Sequence, residues 1–195
     1  MKCLATSPVV RLAVSACVLI ALVGCGARRA EQHRRTGDTY LRLNDFQQAA
    51  QEYERALELD PGNVHARFGQ GLVFLRQKKD AEALAAFQKT IEQDPSFQPA
   101  YLEAARLLLA AQKVPEAEEL ARRLQGVNAE SGDLMLTGVY LESGRAADAV
   151  AFLEERTAGG KGTAPQRIAL AKAYQAAGQA DKAESELKSL VEAGG

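Results

Sequence analysis

The sequence contains no tryptophan, only three cysteines and only two histidines among its 195 residues. All three cysteines (Cys3, Cys17 and Cys25) lie in the first 25 residues, so the rest of the chain can form neither a disulfide framework nor a cysteine-rich metal site. We interpret the two histidines, His33 and His65, as surface or groove residues rather than ligands, and we expect no metal and no cofactor. The 24 basic and 25 acidic side chains give a net charge of −1, which does not favour nucleic-acid binding.

The sequence has one apolar segment near its N terminus, and this segment predicts a secretory signal over residues 1–24. Lys2 and Arg11 give it a positive start, and the run from Leu12 to Gly24 carries no charge. The run is too short for a comfortable membrane span, which needs about 20 apolar residues. We therefore expect export of the chain rather than a membrane-spanning helix.

The end of this segment, Leu22-Val23-Gly24-Cys25, resembles the bacterial lipobox. The resemblance implies that diacylglycerol is attached to the thiol of Cys25, that the chain is cleaved before this residue, and that the new amino end is acylated, for example with palmitate. Gly26 follows where an aspartate often signals inner-membrane retention, which favours the outer membrane facing the periplasm. The alternatives are an ordinary signal peptide that has a cysteine at its cleavage site and an uncleaved anchor.

Residues 25–29 are then the lipidated cysteine and a short tether, and four arginines lie close to this predicted membrane end. They are Arg28, Arg29, Arg34 and Arg35. Each could pair with an anionic lipid headgroup, an interaction worth about 1 kcal/mol near a membrane surface. The alternative is a basic start of the first helix that is simply solvated.

The rest of the chain repeats with a period of 34 residues. Six positions of the first copy recur in the second as the pairs Gly37/Gly71, Tyr40/Phe74, Ala49/Ala83, Tyr53/Phe87, Ala56/Thr90 and Pro61/Pro95. A fixed period of this length is typical of arrays in which one helical hairpin stacks on the next.

This pattern of small, bulky and proline positions resembles the tetratricopeptide repeat. The resemblance implies an all-α solenoid, a right-handed superhelix of about five helix–turn–helix repeats, over residues 30–195. The predicted repeats cover 30–63, 64–97, 98–129, 130–163 and 164–195, with the fourth starting two residues early. Ten helices are expected, at about 31–43, 46–59, 64–77, 80–93, 98–111, 114–125, 131–143, 146–157, 165–177 and 180–192.

In the family, the first helix of each repeat lines a concave groove that binds a protein or a peptide. Carried over by position, the resemblance implies a partner-binding groove made of Arg34, Asp38, His65, Phe68, Leu72, Leu75, Leu102, Arg106, Leu109, Leu134, Leu141 and Lys172. The apolar members favour an amphipathic helix or an extended peptide as the ligand. The alternative is that tight packing buries these apolar residues between the helices.

Nothing in the sequence indicates catalysis. Gly160-Lys161 lacks the Ser or Thr of a phosphate-binding loop, because Gly162 follows the lysine. We therefore expect no catalytic residue, no small-molecule substrate and no enzyme, but a scaffold for protein partners.

Lipid-anchored repeat proteins of this kind include pilotins of type IV pili, assembly factors of Tad pili and lipoproteins of exosortase and exopolysaccharide systems. The resemblance thus implies a role in assembling or localising a cell-envelope machine (pilus, secretion or exopolysaccharide). The alternative is an adaptor or regulator of a peptidoglycan hydrolase or, least favoured, a hydrolase itself.

Overall fold

The computed structural model describes residues 26–194, and the predicted signal segment and Cys25 lie outside this range. Within this range the chain forms ten α-helices and no strand. The helices are α1 (26–42), α2 (Phe46–Leu59), α3 (Val64–Arg76), α4 (Asp80–Gln93), α5 (Gln98–Ala110), α6 (Val114–Val127), α7 (Ala129–Glu142), α8 (Ala146–Thr157), α9 (Ala164–Ala176) and α10 (Ala180–Gly194), with a 3₁₀ turn at Ala158–Gly160. The all-α prediction and the predicted order of ten helices are confirmed.

Helix α1 begins earlier than the sequence pattern indicates. Residues 26–29, predicted to be part of a short tether, are already helical. They span about 6 Å along the helix axis, since an α-helix rises about 1.5 Å per residue. The predicted lipidation position therefore directly precedes a helix instead of an extended linker.

The turn inside each helical pair has the same backbone structure in all five pairs. The second residue after the end of each odd-numbered helix has a positive φ: Asn44, Lys78, Gln112, Gly144 and Gly178. The next amide donates to a carbonyl five residues earlier, as in the bond from Asp45 N to Tyr40 O at 2.9 Å and from Lys113 N to Leu108 O at 2.8 Å. This is the Schellman C-cap, which satisfies carbonyls that the ending helix leaves free. The spacing of these residues follows the 34-residue period and its single two-residue contraction.

Three of the odd-numbered helices, α3, α7 and α9, begin with polar caps, whereas α5 begins after Phe97 without a side-chain cap. Asn63 accepts from the amide of Ala66 at 2.9 Å, and Asn128 accepts from the amide of Ser131 at 2.9 Å. Thr163 caps α9 in a reciprocal arrangement, in which its own amide donates to Gln166 Oε1 at 3.0 Å. These caps fix where α3, α7 and α9 start.

The described chain divides into two compact units, one ending at Ala86 and the other beginning at Phe87, inside α4. The core of the first unit is built around Tyr53, which is fully buried. A Cβ atom on Gly37 would lie 2.8 Å from the Tyr53 ring, and one on Gly69 would lie 2.4 Å from it. The small residue Gly37 of the repeat therefore makes room for the aromatic ring, as the pattern predicts. Gly69 also makes room for it, although it is not one of the repeated positions.

The core of the second unit lies between successive helices of the last repeats. One cluster of buried side chains joins α8, α9 and α10 and contains Ala149, Val150, Leu153, Leu170, Ala173, Tyr174 and Ala183. Gly132 on α7 faces the backbone of Gln125 on α6, where a Cβ atom would lie 2.3 Å from the Gln125 nitrogen. The absence of a side chain at Gly132 therefore allows α6 and α7 to approach closely.

Candidate functional site

The two predicted groove residues of α1 are engaged with their neighbours. Arg34 pairs with Glu31 at 2.7 Å and with Asp38 at 2.5 Å, and the hydroxyl of Tyr53 donates to the other oxygen of Asp38 at 2.7 Å. The hydrogen bond from Arg34, together with that from Arg35, lowers the pKa of Glu31 to about 2. Burial, and then the bond to Asp38, raises the pKa of Tyr53 above its usual value. Arg34 and Asp38 thus stabilise the first hairpin.

The four predicted groove residues of α3 are placed at its accessible side. His65 is exposed, whereas Phe68, Leu72 and Leu75 are half-buried. They remain predicted contacts for a partner.

The second unit brings four predicted groove residues together in one cleft. Leu102, Arg106 and Leu109 lie on α5, and Leu134 lies on the neighbouring helix α7. The cleft has a volume of about 440 Å³. Its other lining residues are Gln98, Ala105, Leu124, Ser131, Met135, Gly138, Val139 and Glu142. Leu102 is 56% exposed, a large fraction for a leucine, so part of the apolar surface of the cleft faces solvent.

A second, smaller cleft of about 280 Å³ continues the first one. The two share Arg106, Leu109 and Glu142, and the smaller cleft reaches Gln112 and Ser143 at the ends of α5 and α7. Together they form one groove with both apolar and polar lining residues, which we call the α5–α7 cleft.

The other two predicted groove residues of this unit do not line the α5–α7 cleft. Leu141 is half-buried and packs against the cluster of α8, α9 and α10. Lys172 is exposed on α9. Leu141 therefore contributes to packing, because its side chain meets the helices that follow it instead of α5.

A buried polar network holds α7 behind the cleft. The carboxylate of Asp133, the residue before Leu134, is 4% exposed and accepts from Gln125 Nε2 at 2.7 Å and from Gln166 Nε2 at 2.9 Å. Arg156 Nε lies 3.6 Å from the same carboxylate. These contacts join α6, α7, α8 and α9, and they fix the rotation of α7 that presents Leu134 to the cleft. The sequence pattern did not indicate this network, since it depends on the relative register of four helices.

The four arginines near the predicted membrane end fall into two kinds. Arg34 and Arg35 are paired with Glu31, at 2.7 Å in each case. Arg28 and Arg29 are exposed and form no ion pair with another residue that the structure describes. Of the four, Arg28 and Arg29 are therefore the two without an ion pair within the described range.

Neither a metal cluster nor a membrane-spanning helix is present among residues 26–194. No group of three or more His, Cys, Asp or Glu side chains in this range could hold a metal ion. No helix in it is both long enough and apolar enough to cross a bilayer.

Three known proteins illustrate what the chain resembles. It is 32% identical over 96 residues to DnaJ homolog subfamily C member 3 of Bos taurus, a match covering 49% of this chain and 19% of that protein. The fold resembles that of Pseudomonas aeruginosa PilF, with a TM-score of 0.62, 17% identity, and coverage of 87% of this chain and 78% of the other. It also resembles YrrB, a tetratricopeptide-repeat protein described as having an unusual peptide-binding site, with a TM-score of 0.52, 18% identity, and coverage of 82% and 84%.

Two sequence profiles of the tetratricopeptide repeat match the chain, one at residues 34–96 and one at residues 74–134. Together they cover about half of the sequence, and the helical pairs continue beyond the second match up to α10. The match to the curated relative spans only about a fifth of that protein, so it supports the repeat and not the activity of the whole protein. The chain belongs to the tetratricopeptide-repeat proteins.

Proposed function

We propose that this protein is a non-catalytic, lipid-anchored scaffold of the cell envelope that holds a peptide segment of a protein partner in the α5–α7 cleft. The observation that carries the proposal is the cleft itself, an open space between α5 and α7 of the second unit that Leu102, Leu109 and Leu134 help to line. An apolar channel with charged groups at its edge suits an amphipathic helix or an extended peptide. The tetratricopeptide-repeat fold is suited to this work, and YrrB is an example with a peptide-binding site.

The anchor is proposed from the lipobox resemblance at Leu22–Cys25. Since α1 begins at residue 26, a lipid on Cys25 would hold the first helix close to the headgroups. Arg28 and Arg29 are exposed there and are suited to anionic lipids. Several acyl chains would hold the protein firmly, because one chain gives only weak membrane binding. We place the protein at the outer membrane, facing the periplasm, in the assembly or localisation of a pilus, secretion or exopolysaccharide system.

The anchor is tested by metabolic labelling with palmitate. The wild-type chain should incorporate the label and fractionate with membranes, and Cys25→Ser should do neither. Cys17→Ser is the matched control, since this cysteine lies inside the apolar run and should leave labelling unchanged. Labelling of Cys25→Ser would refute the anchor without affecting the proposal for the cleft.

The cleft is tested by placing a charge in it. Leu102→Glu should abolish co-purification of the envelope partner, while the helical circular dichroism signal remains. Leu43→Glu is the matched control, because Leu43 is 69% exposed and lies in the turn between α1 and α2. Retention of the same partner by Leu102→Glu would contradict the proposal.

A further inference from the structure

Gly138 lies in the middle of α7 without a structural reason to be glycine. Glycine destabilises the middle of a helix relative to alanine, because it loses more backbone freedom on folding. A glycine in such a place usually permits a close approach of another group or adopts a positive φ. Gly138 has no positive φ, and a Cβ atom built on it would meet no atom within 4 Å.

The other helical glycines show how unusual this is. Gly37 and Gly69 face the ring of Tyr53, and Gly132, earlier on the same helix, faces the backbone of Gln125. Gly126 also meets nothing within 4 Å, but it is exposed in the last turn of α6, where little depends on it. Gly138, in contrast, is half-buried and lines the α5–α7 cleft.

The space at Gly138 is lined by residues of α5 and α7. On α7, Leu134 lies one turn before it and Glu142 one turn after it, on the same side of the helix. Across the cleft, α5 presents the small residue Ala105 between Leu102 and Leu109. Both small residues line the cleft, and the open space at Gly138, which we call the notch, lies in the part of the cleft that Leu102, Leu109 and Leu134 also line.

A negative charge, that of Glu142, lies at one end of the notch. Glu142 is exposed and forms no ion pair with any residue in the described range, whereas the cation beside it, Arg106, is paired with Glu103 at 2.5 Å. An unpaired carboxylate next to an apolar notch is complementary to an apolar side chain with a basic group nearby.

We propose that the notch at Gly138 is the specificity pocket of the cleft, and that it takes one large apolar side chain of a partner peptide whose Lys or Arg, one helical turn away, pairs with Glu142. This inference rests on the proposed docking of a peptide in the α5–α7 cleft and adds what the peptide must carry. Gly138 limits the size of the inserted side chain, and Glu142 sets the charge beside it.

The test uses fluorescein-labelled peptides of 15 residues with an Ala/Gln background, one central guest residue (Ala, Leu or Phe) and a Lys or Glu four positions later. Binding to the full chain in lipid nanodiscs is measured by fluorescence anisotropy. The wild-type protein should bind the Leu and Phe guests more tightly than the Ala guest, and Lys more tightly than Glu. Gly138→Ala should weaken binding of the Phe-guest peptide by about tenfold, the lower end of the range for one methylene group in an apolar pocket. Gly138→Leu should abolish binding of this peptide.

Thermal unfolding of the same variants separates pocket filling from misfolding. Gly138→Ala should raise the melting temperature while it lowers affinity, because alanine favours the helix. Gly126→Ala is the matched control, and it should leave affinity unchanged. Glu142→Gln should remove the preference for Lys and leave the preference for Phe.

The outcomes distinguish this inference from the proposal on which it rests. If Leu102→Glu abolishes binding and the Gly138 variants bind the Phe guest like the wild type, the cleft is the docking site and the specificity pocket is refuted. If the wild type binds no guest better than Ala, the specificity pocket is refuted as well. If Leu102→Glu leaves all binding intact, docking in the cleft is itself wrong.

Discussion

Asp133 and Gln166, 33 positions apart, form a buried hydrogen bond in which Gln166 Nε2 donates to Asp133 Oδ2 at 2.9 Å. The orientation of the Gln166 amide is fixed from its other end, since its Oε1 accepts from the amide of Thr163 at 3.0 Å. The nitrogen must therefore point at Asp133, and position 133 must supply an acceptor. A second acceptor is needed there for Gln125. The carboxylate satisfies both amides, because each of its two oxygens accepts from one of them, whereas an asparagine would have an NH2 donor in place of one oxygen.

Asp133→Asn should destabilise the second unit by about 1–3 kcal/mol, because the side-chain amide of Gln166, which is buried, or that of Gln125, which is half-buried, then faces an NH2 donor instead of an acceptor. Urea unfolding followed by circular dichroism measures the change. Asp148→Asn is the control, as Asp148 is exposed and forms an ion pair within one helical turn that is worth little. Equal stability of the two variants would contradict the network.

Gly144→Ala should destabilise the chain by about 1 kcal/mol, because residue 144 has a φ of 77°, where a Cβ atom is crowded. The reverse change, Gln112→Gly at the equivalent turn with a φ of 59°, should stabilise the chain by up to a similar amount. Thermal unfolding of both variants checks that Gly144→Ala lowers the stability and Gln112→Gly raises it. A gain in stability on Gly144→Ala would show that the turn is not a Schellman cap in solution.

The Glu31 carboxyl group should titrate with a pKa of about 2, because it accepts hydrogen bonds from Arg34 and Arg35. A carboxyl group whose pKa is lowered by folding stabilises the native state at pH values above its unfolded-state pKa of about 4.3. This contribution is lost as the pH falls towards about 2. Carbon-detected NMR titration measures the value directly.

Arg34→Gln should raise the pKa of Glu31 towards its usual value and should do so more than Arg35→Gln, since the bond from Arg34 has the larger effect. The two substitutions therefore act as controls for each other. A normal pKa in the wild type would mean that these ion pairs do not persist in water.

Arg28 and Arg29 should contribute more to membrane binding than Arg34 and Arg35. Replacing Arg28 and Arg29 with Gln removes two exposed charges, each worth about 1 kcal/mol at an anionic surface. Replacing Arg34 and Arg35 with Gln removes charges that are already paired with Glu31. Co-sedimentation of the chain beginning at Gly26 with vesicles of phosphatidylcholine and phosphatidylglycerol at low salt compares them, and equal losses would contradict the distinction.

Most of the fold could be predicted from the sequence, because the repeat encodes it locally. Pro61 and Pro95 mark helix ends, Gly37 leaves room for the Tyr53 ring, and Ala49 is buried in the same cluster, so the period locates the helices. The positive φ of Lys78 and Gln112 is not evident from their residue type, and only their alignment with Gly144 and Gly178 indicates it.

The candidate site was predictable only in part. The repeat positions of Leu102, Arg106, Leu109 and Leu134 indicated a shared surface, and these residues line one cleft. Leu141 has an equivalent position but packs against the following helices. Such differences depend on distances between helices, which a single sequence does not specify, and the same holds for the acceptors that surround Asp133.

The most direct test of the central claim is site-specific photocrosslinking in living cells, with p-benzoylphenylalanine in place of Leu102 on α5 or Leu43 outside the cleft. Docking in the α5–α7 cleft predicts one discrete protein adduct from position 102, none from position 43, and loss of the adduct when Leu134→Glu is added. Crosslinking to the same protein from position 43, or an adduct from position 102 that survives Leu134→Glu, would contradict it.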